Sequence, residues 1–141
     1  MPEFQSVRAA SNATLVALLG RETFEELEAY KLEFHFDWTI GTDLWDGGAP
    51  LTNDELHALA LAIVRIGYDD QVILTAPKPA QVPHPTTWLS QQDNALLTAT
   101  DHFLSPLQQE LLRKNLVEEN RYNTAMRGAV AQHATRSVKS K

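Results

Sequence analysis

The chain has 141 residues, a formal net charge of −6, 43% apolar residues and no cysteine. That length is enough for one domain with its own core, and the missing cysteines exclude disulfides, a thiolate nucleophile and a cysteine-ligated zinc. The acidic balance argues against general nucleic-acid binding, and no run of about 18 apolar residues offers a membrane span.

Charge is unevenly placed. Residues 1–80 hold 13 acids against 5 bases, whereas from Arg113 onward 7 bases stand against 2 acids. An acidic body with a basic C-terminal segment can pair with another acidic surface or an anionic lipid face, and the plainer expectation is a solvated tail.

In chain order, residues 1–10 are expected as a disordered tail. Ser11 or Asn12 is placed to cap a short helix carrying Leu15, Leu18 and Leu19 that stops at Gly20. Leu15 to Leu19 is too short for a signal-peptide core. The expected compartment is therefore the cytoplasm, or the cell envelope if a leader has been removed. Thr23 with Glu26 reads as a capping box, followed by Phe24, Leu27, Tyr30 and Phe34 at three-to-four spacing.

The stretch "AYKLEFHFDWTI" (29–40) alternates apolar and polar residues as a strand does, yet Tyr30, Phe34 and Trp38 also recur every four residues. The helix opening near Thr23 has no stop signal before Gly41, and residues 71–76, "QVILTA", form the one other β-prone run. A lone strand needs a partner, so a helix is preferred. That helix is apolar on two faces, since Leu32, Phe36 and Ile40 fall opposite Tyr30, Phe34 and Trp38. Such a helix is either sandwiched in a core or presents a binding surface.

"DGGAP" (46–50) is a loop. Thr52 with Glu55 opens a second helix through a capping box, with Leu51 and Leu56 spaced as a hydrophobic staple. Leu56, Leu59, Ala60, Ile63, Val64 and Gly67 form its apolar stripe. "PKPAQVPHP" (77–85) holds four of the seven prolines and is read as an extended, exposed linker. Ser90 with Asp93 caps the next helix. Ser105, Pro106 and Gln108 open a long final one, which carries Leu107, Leu111, Leu112, Leu116 and Val117. Residues 134–141 are expected as a disordered tail.

Chemistry-bearing patterns are sparse. His35, His57, His84, His102 and His133 form no HxxxH or HExxH pair. His35 with Asp37, joined in space by Asp101 and His102, is one conceivable metal constellation; Asp43 and Asp46 beside Trp45 are one conceivable acid–base pair. Both read more simply as surface and helix-end groups. No P-loop, GxGxxG or GxSxG is present, so the expectation is a non-enzyme with no catalytic, metal or cofactor residues; a metal-dependent enzyme is the least supported alternative.

Two segments read alike, "PLTNDELHALALAI" (50–63) and "FLSPLQQELLRKNL" (103–116). Together with "LLGRETFEELEAYKLEF" (18–34), they resemble the LTxxQ-motif helical proteins of bacteria, the Spy/CpxP-like group. The resemblance implies an all-α fold and a periplasmic or envelope, non-enzymatic, chaperone-like or stress-related dimer.

The combined expectation is a single all-α domain of four or five helices. They form two helix–turn–helix halves joined by the proline-rich linker, with a short extended segment at 71–76 as the one exception. Its protein-binding surface is Tyr30, Phe34, Phe36, Trp38 and Trp45, and its partner is another protein, an unfolded client or a second copy. The alternative is an acidic regulator or immunity-type protein that neutralises one basic partner.

Overall fold

Helix starts in this chain follow from local capping. The computed structural model describes the backbone at residues 2–38, 40–68 and 78–139. At three starts the side chain of a Thr or Ser accepts from the backbone three residues on, and that residue reaches back. The pairs are Thr52 with Glu55, Ser90 with Asp93, and Ser105 with Gln108. The Thr52 backbone N–H holds the Glu55 carboxyl below its ordinary range. Gly20 and Gly67 end helices with φ of 82°, a left-handed turn that a side chain would oppose.

The result is all-α. Six α-helices occupy the described residues: α1 (Pro2–Leu19), α2 (Arg21–Trp38), α3 (Ile40–Asp46), α4 (Asn53–Ile66), α5 (Gln91–Thr100) and α6 (Pro106–Lys139). A single 3-10 turn lies at Pro79–Gln81, and no strand occurs among the described residues. The stretch 29–40 is therefore helical where described, and its alternation is a coincidence of spacing. Residues 71–76 lie outside the described residues.

Six helices occupy the described residues, against the expected four or five. α2 runs to Trp38 and α3 begins at Ile40, so Gly41 lies inside a helix rather than ending one. Thr39, between them, is outside the described residues. α1 begins at Pro2, upstream of Ser11 and Asn12, and α6 continues to Lys139, so helical backbone reaches into both segments expected as tails. Thr23 caps nothing. α2 already starts at Arg21, directly after Gly20, and Glu26 turns instead to His57. Gly67 leaves the expected stripe to become the C-terminal cap of α4, its N–H bonded to the Ile63 carbonyl.

Packing joins the two halves into one core. α2 lies along α4, α4 against α5, α3 against α6, and α5 against α6. Leu44, Leu59, Leu96 and Leu112, from α3, α4, α5 and α6, are its fully buried leucines. Burying one such side chain contributes about 1.5–3 kcal/mol. Polar stitches reinforce the join: the Gln108 amide donates to the Pro50 carbonyl at 3.1 Å, and the Gln109 amide to Thr100 Oγ1 at 2.8 Å. The proline-rich segment is not a free extended spacer where described, since its 3-10 turn packs on α5 with Ala80 and Gln81 half-buried.

Candidate functional site

α2 is two-faced, as its spacing predicts, but one chain covers only one face. Ala29 is fully buried and Leu32 packs against the core. On the other side Tyr30 is 61% exposed and Phe34 74%, with Leu27 exposed one turn earlier. Positions 27, 30 and 34 share one helical side, so they form a continuous apolar stripe. Trp45, on α3, is 71% exposed. Tyr30, Phe34 and Trp45 therefore lie on the surface. The backbones of Phe36 and Trp38 belong to α2, while their side chains fall outside the described residues.

What turns that stripe outward is how α2 is fastened to α4. His57 on α4 sits between two α2 glutamates, with Nε2 2.7 Å from Glu26 and Nδ1 2.5 Å from Glu33. The ring can donate to both carboxylates at once only when it is protonated. The hydrogen bond to Glu33 is the main cause, and the Glu26 charge a further one, that raise the His57 pKa against the cost of burial. About two turns farther along α4, Arg65 Nε donates to Glu25 at 3.0 Å. These pairs, with the packing of Leu32, fix the rotation of α2 that leaves Leu27, Tyr30 and Phe34 open.

A second polar centre lies where α4, α5 and α6 meet. Asp93 is 2% exposed and its carboxylate is saturated with donors. Tyr68 Oη donates to it at 2.6 Å, the Ser90 N–H at 2.9 Å and Asn120 Nδ2 at 2.7 Å. Burial first, and then the bond to Asp93, push the Tyr68 hydroxyl far above its usual range, so it remains a donor. Glu119 is exposed on α6, and partial desolvation of its carboxyl together with the Asp93 charge raises it, with His35 opposing.

The same centre holds a strained loop. Trp88 has φ of 60°, a conformation uncommon for a bulky residue. Its carbonyl accepts from Asn120 at 2.7 Å, its N–H donates to the His84 carbonyl at 2.8 Å, and Arg121 lies 5.5 Å from its ring centroid. With Tyr68, the Ser90 N–H and Asn120 all bonded to Asp93, and Asn120 also to the Trp88 carbonyl, its geometry is that of a tertiary clamp.

The described residues include His35, Asp101 and His102 of the conceivable metal constellation and, on α3, both Asp43 and Asp46. No group of three His, Cys, Asp or Glu side chains is arranged among the described residues to hold a metal. Asp43 accepts from Asn115 at 2.5 Å, and the His102 ring packs edge-on against Phe103. The Asp37 side chain lies outside the described residues. No described helix is long and apolar enough to cross a membrane.

Sequence reasoning missed the Glu26–His57–Glu33 clasp and the Tyr68–Asp93–Asn120 clamp. The available signal was partial, since Asp93 is visible as the third residue of a capping box. Nothing local links it to Tyr68 or Asn120, which lie 25 and 27 residues away. No family model matches this chain, and neither the curated proteins nor the solved structures yield a match.

Proposed function

We propose that this chain is a non-enzymatic protein-binding module that holds a protein partner or an unfolded client against the aromatic face of α2, a chaperone-like role. The observation that carries this reading is the exposure of Tyr30, Phe34 and Trp45 on helices whose opposite sides are anchored in the core. A contiguous exposed apolar stripe marks an interaction site more than single exposed residues do, and aromatics dominate the energetics of protein contacts.

The test is suppression of aggregation of an unfolded client, followed by light scattering. The wild-type chain is expected to suppress it, and a Tyr30→Ser, Phe34→Ser variant with unchanged helical circular dichroism is expected to lose most of the effect. Suppression that persists in high salt supports apolar capture. Saturable binding of one basic protein that collapses with salt supports the other reading, neutralisation by the acidic first half, and contradicts this one.

A further inference from the structure

We propose that the Glu26–His57–Glu33 clasp is a proton-operated latch: α2 is seated on α4 while the His57 ring is protonated and loosens from it when the ring gives up its proton, with the rest of the bundle staying folded. How α2 is seated is separate from what its open face holds, so the latch stands or falls independently of the proposed function.

The first ground is geometry. His57 Nε2 lies 2.7 Å from Glu26 and Nδ1 2.5 Å from Glu33, so one ring spans two carboxylates about two turns apart on α2. A protonated ring donates to both. A neutral ring has one N–H and one lone pair, so the carboxylate facing the lone pair loses its donor and is repelled. The other carboxylate loses its opposite charge in the same step. Arg65 on Glu25 is a further tie, and its guanidinium stays charged throughout.

The second ground is how little else seats α2. It packs mainly on α1, α3 and α4, and Ala29 is its one buried side chain among those described, with Leu32 half-buried. The fully buried leucines belong to α3, α4, α5 and α6. The Tyr68–Asp93–Asn120 clamp joins the end of α4 to α5 and α6 without any α2 residue. An element with few buried apolar contacts opens at the lowest cost, so α2 is the one that a lost polar tie releases.

The surrounding charges set the direction. Glu26 and Glu33 face His57 from α2, Asp54 and Glu55 precede it on α4, and α5 carries one charged residue, Asp93, which is held by Tyr68, Ser90 and Asn120. The bond to Glu33, and then the Glu26 charge, raise the His57 pKa against the cost of burial. The latch is therefore closed at mildly acidic pH and opens as pH rises through the folded value. α2 carries a second titratable ring, His35, which acts on Glu119 of α6.

The test is hydrogen exchange on the full chain, read as protection factors from mildly acidic to alkaline pH, beside nuclear magnetic resonance of the His57 ring nitrogens. The α2 amides are expected to lose protection in step with ring deprotonation, by up to about tenfold for each unit that the seated pKa stands above 6.5. The amides of α5, and of α6 as far as Leu116, are expected to keep theirs. His57→Gln is expected to give weak α2 protection that no longer varies with pH. Arg65→Gln is expected to lower it equally at every pH, and His35→Gln to leave the pH dependence in place. The latch is overturned by α2 protection that stays flat through the ring's titration, by α5 and α6 losing protection along with α2, or by an unchanged pH dependence in His57→Gln. Circular dichroism checks that each variant folds, and the wild-type titration decides by itself where one does not.

Discussion

Removing the Asp93 carboxylate strikes the most heavily bonded buried group in the fold. In Asp93→Ala three donors lose their acceptor together: the Tyr68 hydroxyl, the Ser90 N–H and one Asn120 N–H. A buried donor left unmatched costs about 1–3 kcal/mol. Asn120 keeps the Trp88 carbonyl as a partner, so the sum is capped at about 3–5 kcal/mol, as for breaking a buried charged network. At about 2.1 cal/mol/K of unfolding entropy per residue, a chain of this length loses about 10–17 °C in Tm. Asp93→Asn retains one acceptor oxygen for Ser90 and Asn120, and its new N–H₂ can donate to the Tyr68 oxygen; the expected cost is about 1–2 kcal/mol. Thermal and urea unfolding of both variants, followed by circular dichroism, gives the two numbers. Alanine and asparagine variants of equal stability, or an alanine variant within about 0.5 kcal/mol of wild type, the range of a neutral surface change, would refute the donor count.

Two further outcomes follow from the packing and the α2–α4 clasp. Because the His57 pKa is raised in the fold, the stability it contributes is fully present below its ordinary value of 6.5 and fades as pH rises through the folded value. Urea unfolding of wild type and His57→Gln is therefore expected to differ most at mildly acidic pH and to converge at alkaline pH; a gap that widens with pH contradicts the clasp. Leu59 is fully buried, so Leu59→Ala is expected to cost about 2–5 kcal/mol in urea unfolding, and a loss below about 1 kcal/mol means that α4 is not the centre of the core.

What was legible in the sequence was local. The Thr52, Ser90 and Ser105 starts each use a side chain within three residues of the backbone it serves, so composition and spacing reveal them. The left-handed end at Gly20 concerns a single residue, whereas Gly67 was read into the α4 stripe and caps the helix instead. The Thr23 box failed by the same logic, because α2 starts at Arg21 and the Glu26 N–H that Thr23 would accept from already belongs to the helical ladder. That Ile40 and Leu44 turn into the core and α3 packs on α6 was invisible, since it is a tertiary matter. His57 between Glu26 and Glu33, and Tyr68 on Asp93, depend on how α2, α4 and α5 are rotated against one another, which no single-helix period encodes. Of the candidate surface, the spacing of Tyr30 and Phe34 predicted a second apolar face, and only the packing of Ala29 and Leu32 decided which face remained open.

The central claim, that the open side of α2 is where another protein is held, is tested most directly by site-specific photo-crosslinking. A photoreactive phenylalanine analogue replaces Phe34 or Trp45 in turn, and Asn94, exposed on α5 away from the stripe, serves as the control. Irradiation with an unfolded client is expected to give adducts from positions 34 and 45 and none from 94. Adducts from 94 as strong as those from 34, or none from 34 under conditions where client aggregation is suppressed, would contradict the account.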